Sequence, residues 1–138
     1  MKKKYLVTGG SGFIGSALVK RLLREGHSVR VFDNNSRGNL RRLESVIDQI
    51  EFVEGDIREP NQVLEACKGV DAVCHLAFVN GTKFFYELPE LVLEVGVKGM
   101  MNILDACIAN NIEDLILASS SEVYQSPTEI PTSENVPL

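Results

Sequence analysis

Thr8-Gly9-Gly10-Ser11-Gly12-Phe13-Ile14-Gly15 decides the fold: an apolar run ends where this stretch begins, and an amphipathic pattern starts before it closes. Tyr5-Leu6-Val7 ahead of it reads as a buried strand, and Ile14, Ala17, Leu18 and Leu22 behind it recur at helical spacing. Each glycine of the turn has its own task. Gly9 suits the tight bend after the strand, Gly12 lets backbone approach a pyrophosphate, and Gly15 lets the helix pack closely on the strand. A helix opening at Phe13 and Ile14 aims its unpaired N–H groups and the positive end of its dipole at phosphates, so the cradle needs no side-chain cation.

A glycine pattern alone is weak, because glycines in turns are common, and its context carries the reading. A second apolar run, Val29-Arg30-Val31-Phe32, ends in Asp33, 18 residues beyond Gly15. A carboxylate at the end of the second strand stands where an adenosine ribose offers its hydroxyls, which makes Asp33 the expected ribose ligand with Asn34 beside it. The cofactor expected is NAD rather than NADP, since a 2′-phosphate would meet the Asp33 carboxylate as a like charge. Arg37, in the same loop, tempers this because an arginine there can bind that phosphate.

With 138 residues, 44% of them apolar, the chain has a single-domain length and can bury a sizeable core. No apolar run approaches the roughly 18 residues of a membrane span. Met1-Lys2-Lys3-Lys4 looks like the start of a signal peptide, but the apolar stretch after it stops at the glycine turn, so a cytoplasmic location is expected. A net charge of −5 argues against nucleic-acid and anionic-membrane partners, and the basic residues at 20–24 and 37–42 read as solvated faces. Cys67, Cys74 and Cys107 are odd in number, lack metal-type spacing and sit in apolar segments, which suits buried reduced thiols and no metal site.

Strand-like runs at 4–8, 28–33, 51–54, 71–76 and 114–118 alternate with helical patterns at 13–25, about 39–48, 60–67 and 89–110. Such alternation implies an α/β fold, a Rossmann-like doubly wound parallel sheet of five strands, with its ligand beyond the carboxyl ends of the strands. Turn-rich stretches lie at 34–39 and 126–138. The segment 89–110 carries two apolar stripes. Leu93, Val97, Met100, Met101, Leu104 and Ile108 form one, and Val92, Val95, Gly99, Ile103 and Cys107 the other. A helix on a sheet needs one apolar face, so two imply either a second neighbour or half-buried positions.

With the glycine turn, Asp33 and Ser119-Ser120-Ser121-Glu122-Val123-Tyr124 in place, the chain resembles the extended short-chain dehydrogenase/reductase family. More narrowly, from Lys4 to Leu138, it is similar to the NAD-dependent epimerase/dehydratase group acting on nucleotide sugars. The resemblance implies that Asp56 and Ile57, after the third strand, flank the adenine. It implies that His75, Leu76 and Ala77, after the fourth, make backbone contact near the adenosine and pyrophosphate, with Ala77 leaving room. From spacing alone these residues equally suit strand ends that cap the sheet. Ser120 falls where the family's serine or threonine hydrogen-bonds the reacting sugar hydroxyl, and Glu122 where dehydratase and decarboxylase branches place a glutamate near the ring. Read without the resemblance, Ser120 equally suits a serine bonded to its own loop. Ser121 stands where one dehydratase branch carries an acid, which leaves epimerase, decarboxylase and the other dehydratase branch open.

Two departures accompany the resemblance. The family's Val-Asn-Val-x-Gly-Thr segment reads Val95-Gly96-Val97-Lys98-Gly99-Met100 here, and none of Tyr5, Tyr86 and Tyr124 has the lysine four residues on that completes the family's Tyr-x-x-x-Lys pair. In that pair the lysine lowers the tyrosine pKa so that it can act as a base. Residues 1–138 are therefore expected to be the cofactor-binding N-terminal portion of a longer enzyme, without its substrate domain and inactive alone. The resemblance implies that the helix carrying the Tyr-x-x-x-Lys pair packs beside the one at 89–110 and accounts for its second stripe; without it, a homodimer or other self-association through the 89–110 helix, or exposure of that surface, is expected. The alternative is a non-catalytic NAD(P)-binding sensor or scaffold. A methyltransferase-like protein with another adenosine ligand would leave the Ser120–Tyr124 segment unexplained. The loop 79–86 suits a substrate entrance or ordinary packing.

Overall fold

Adjacent residues in each central strand point to opposite faces, and in this chain both sets are mainly apolar, so the sheet is buried from both sides. The computed structural model describes residues 1–127 and 129–136. Five strands, β1 (Lys4–Thr8), β2 (Ser28–Asp33), β3 (Ile50–Glu54), β4 (Ala72–His75) and β5 (Asp114–Leu117), form one sheet. All pairings are parallel, and the order is β3-β2-β1-β4-β5. The order reverses direction at β1, which puts the switch point at the glycine turn.

On one face Leu6, Phe32 and Val73 meet α2 (Pro60–Ala66) and α5 (Gly99–Ala109) through Val63, Ala66, Ile103 and Ala106. On the other face their neighbours Val7, Val31 and Cys74 meet α1 (Phe13–Arg24) and the segment Leu40–Gln49 through Val19 and Leu43. This is the doubly wound arrangement the alternation implies.

Three segments differ from the sequence reading. Leu40–Gln49 runs in 3₁₀ turns, and Leu40, Leu43 and Val46 recur every third residue, which matches three residues per turn. Asn39 caps it by accepting the Arg41 N–H at 3.0 Å. The loop expected at 79–86 overlaps α3 (Thr82–Glu87). The single helix expected over 89–110 is instead α4 (Pro89–Leu93), a wide π turn at Glu94–Lys98 that contains Gly96, and α5. Of the turn-rich tail, Thr128, Pro137 and Leu138 lie outside the described residues.

Along this last segment the two stripes part company. Val92, Val95, Ile103 and Cys107 are buried, and an added Cβ on Gly99 would stand 2.5 Å from Ile57 Cδ1. Leu93, Val97, Met101 and Ile108 of the other stripe are 53–75% exposed. No described helix is long and apolar enough to cross a membrane.

Candidate functional site

Gly9 takes a left-handed φ of +68°, and an added Cβ would stand 2.9 Å from the Ala77 backbone, so the bend requires glycine twice over. At Gly15 a Cβ would come within 2.2 Å of Gly9 O, the close helix-on-strand contact expected from the sequence. The turn is tied by Gly9 N–H to Phe32 O at 2.9 Å and Gly12 N–H to Gly9 O at 3.0 Å. No side chain caps α1, and its first turn holds no acid. The first N–H groups of the helix, those of Phe13 and Ile14 among them, are thus free for an anion. Both side chains stand exposed at the mouth.

Asp33 is buried, and its carboxylate holds the cradle from the β2 side. One oxygen accepts the Ser11 N–H at 3.0 Å and the other the Asn35 N–H at 2.9 Å. A carboxylate has about four lone-pair sites, so two remain for ribose hydroxyls. Ser11, buried at the tip of the turn, also donates to Asn35 Oδ1 at 3.0 Å. Asn34 Nδ2 donates to Asp56 at 3.1 Å, which joins two predicted site residues across the ends of β2 and β3. Asp56 is further held by Arg58, whose Nε and Nη2 donate to it at 3.0 and 2.8 Å. The Arg58 guanidinium lowers the Asp56 carboxyl to about 2. Ile57 is buried against Gly99 and its carbonyl accepts from Asn102 Nδ2 at 2.8 Å, so its side chain serves the core and leaves only main chain to the site.

From the β4 side the cradle is held by two side chains to which the sequence reading gave no role of their own. Thr8 and His75, both buried, pair in register at the ends of β1 and β4, with Thr8 Oγ1 2.7 Å from His75 Nδ1. The same hydroxyl accepts the N–H groups of Leu76 and Ala77, each at 3.2 Å, so its proton is directed to the imidazole. Burial keeps that ring neutral, lowering its pKa to about 4. The available signal was position: Thr8 and His75 are the last residues of otherwise apolar runs, where two polar side chains can satisfy one another.

Ser120 and Glu122 stand at the carboxyl end of β5, both exposed. Ser120 Oγ accepts the Glu122 N–H at 3.2 Å and caps the 3₁₀ turn Ser121–Tyr124, which leaves the hydroxyl proton free to donate. Following β4, the Phe78 ring fills the space next to Gly96: an added Cβ there would lie 2.9 Å from Phe78 Cε2. An aromatic wall therefore replaces any side chain at 96. Burial raises all three cysteine thiols, Cys67 to about 12, which suits packing rather than nucleophilic chemistry.

A turn that presents an uncapped helix start, a buried acid after β2 and a parallel sheet reversing at β1 agrees with what comparison finds. The NAD dependent epimerase/dehydratase family profile matches residues 5–138. The chain belongs to that family. It is 37% identical over 135 residues to a UDP-N-acetyl-alpha-D-glucosaminuronate decarboxylase of Bacillus cytotoxicus, covering 98% of this chain and 41% of that protein. It is 31% identical to a UDP-glucose 4-epimerase of Corynebacterium glutamicum, covering 97% of this chain and 40% of that protein. Among solved structures, UDP-glucose 4-epimerase from Brucella ovis in complex with NAD superposes with a TM-score of 0.87 at 31% identity, over 98% of this chain and 41% of that one. The chain thus spans about two-fifths of the length of these relatives.

The residues of this family member fit a dinucleotide on their own geometry. The contacts at Gly9 and Gly15 leave no room for side chains, the helix start offers N–H groups, and Asp33 keeps acceptor capacity.

Proposed function

We propose that this chain binds NAD by its adenosine diphosphate half, within a protein that transiently oxidises a nucleotide-activated sugar. The observation that carries the reading is the uncapped start of α1 braced from both sides, by Asp33 on the Ser11 N–H and by Ala77 against Gly9. Bound NAD supplies a hydride acceptor that can also return the hydride. The N–H groups at Phe13, Ile14 and Gly15 face the pyrophosphate, with Gly9 and Gly12 allowing its approach. Asp33 accepts from the ribose hydroxyls with Asn34 beside it. Asp56 and the Ile57 main chain flank the adenine, and Leu76 and Ala77 line the adenosine and pyrophosphate path.

On the reacting side, the Ser120 hydroxyl donates to the sugar oxygen as it becomes a ketone, and Glu122 moves a proton at the neighbouring ring carbon. No tyrosine of residues 1–138 carries the lysine that would make it a base, so this chain alone binds without turning over. The relatives' activities support a UDP-sugar as substrate and a choice between epimerisation and decarboxylation. Titration calorimetry with NAD and NADP tests the binding: tighter NAD is expected because Asp33 repels a 2′-phosphate. Absence of NAD binding removes the reading, and steady hydride transfer to a UDP-sugar by residues 1–138 removes the claim of inactivity.

Phe78 in the space beside Gly96 favours a second reading, a dinucleotide-binding sensor or scaffold that keeps the fold without the chemistry. A Tyr-x-x-x-Lys pair elsewhere in the protein would decide for the enzyme. We also propose that a second copy of this chain covers the stripe of Leu93, Val97, Met101 and Ile108, because exposed apolar surface of this continuity is costly in water.

A further inference from the structure

We propose that Arg37 is a clasp that closes over the pyrophosphate of the bound dinucleotide; this rests on the NAD reading above and adds a cationic side chain to a cradle whose phosphate-facing donors are backbone N–H groups. Arg37 lies in the loop that follows β2, yet its Nη1 donates to the carbonyl of Asn80, and its guanidinium sits 5.2 Å from the centre of the Phe84 ring. Both partners follow β4. The sheet order places β1 between β2 and β4, so a side chain joining these two loops passes over the carboxyl end of β1, where the glycine turn stands.

The base of this arch is rigid. Gly38, next to Arg37, is packed so tightly on Ser11 that an added Cβ would overlap Ser11 Oγ, and Asn39 N–H donates to Ser11 O at 3.0 Å. The loop carrying Arg37 is thereby tied to the tip of the cradle itself.

Charge chemistry supplies the ligand class. Among the described residues the guanidinium meets a carbonyl and a ring face rather than a carboxylate, so its charge is not neutralised. It has five N–H donors, and the Asn80 carbonyl takes only one nitrogen's share. The Phe84 face holds the plane of the group while leaving its edge open. A diphosphate on the helix start below offers charge-assisted hydrogen bonds that are stronger than those to a neutral carbonyl. The direction of reach also separates this role from reading a 2′-phosphate: Arg37 extends across β1 toward β4, away from the Asp33 end where the ribose hydroxyls are bound.

The experiment is titration calorimetry on residues 1–138 with adenosine, ADP-ribose, NAD and NADP, comparing wild type with Arg37→Gln and Arg37→Lys. The glutamine variant is expected to weaken ADP-ribose and NAD alike by roughly 10- to 30-fold, the loss of hydrogen bonds to a charged group. Adenosine, which lacks phosphates, is expected to bind both proteins equally, and lysine to restore part of the loss by keeping the charge without the fork. An unchanged thermal midpoint checks that the fold is intact. Unchanged ADP-ribose binding, or an equal loss with adenosine, overturns the clasp while leaving the NAD reading in place. A loss confined to NADP also overturns it and makes Arg37 a 2′-phosphate reader. Wild type that binds neither NAD nor ADP-ribose removes both.

Discussion

At the carboxyl ends of β1, β2 and β4, Thr8, Ser11, Asp33 and His75 are all at most 9% exposed, and each has a hydrogen-bond partner more than 20 residues away in sequence. At the carboxyl end of β5, Leu117, Ser120 and Glu122 are exposed, and the bond that holds Ser120 reaches only two residues. The same sheet edge therefore contains a site braced by long-range contacts and a site held by its own loop. The contacts that shape the proposed cofactor cradle lie within these residues. The side chains proposed for chemistry are present but not yet confined, and confinement is what catalysis requires of them.

The most severe way to break the braced region is Gly15→Ala. Its Cβ would lie 2.2 Å from Gly9 O and 2.7 Å from Gly10 Cα, which are backbone atoms with nowhere to move. The expected cost is about 4 kcal/mol, beyond the usual range for overpacking, with NAD binding lost by calorimetry. A well-folded variant that still binds NAD would show that the close contact is not what shapes the cradle.

Acid offers a milder test of the same brace. His75 has its pKa lowered by burial from 6.5 to about 4, so between these values the unfolded chain binds a proton that the folded chain does not. The contribution of this group is complete above about pH 6.5 and declines as the pH falls toward 4, by about 3 kcal/mol across the window. Urea unfolding of wild type and His75→Gln along that range reads it directly: the wild type should lose more stability between pH 7 and pH 4 than the variant. Parallel curves would mean that His75 is not held neutral.

The smallest expected effect on stability lies on the bare stripe of the last helix. Met101 is 53% exposed, so Met101→Lys should change stability by less than about 0.5 kcal/mol. Sedimentation velocity should nonetheless show wild type associating and the variant monomeric. A monomeric wild type would end the proposal that a second copy covers this face.

Much of this was legible in order. Gly9, Gly12 and Gly15 were assigned from spacing, and the contacts at Gly9 and Gly15 bear out the bend and the close packing because both follow from local sterics. The 3₁₀ run at Leu40–Gln49 and the π turn at Glu94–Lys98 were missed because an apolar pattern fixes which face is buried more firmly than the number of residues per turn. α3 was missed because Thr82–Glu87 is too short for a helical period to emerge. The sequence sets Arg37 beside Asp33, since proximity along the chain is the only distance a sequence states.

Taken by itself, the sequence determined the strand–helix alternation, the doubly wound parallel sheet and the glycine cradle with Asp33 after the second strand. Each follows from periodicity and from which backbone angles a residue tolerates, and both are properties of neighbours along the chain. Only the tertiary structure decided that Thr8 orders His75 across 67 residues, that Phe78 takes the space beside Gly96, and that Arg37 reaches 43 residues on to Asn80. Those contacts depend on which strand lies beside which, and no local property of this chain states that order.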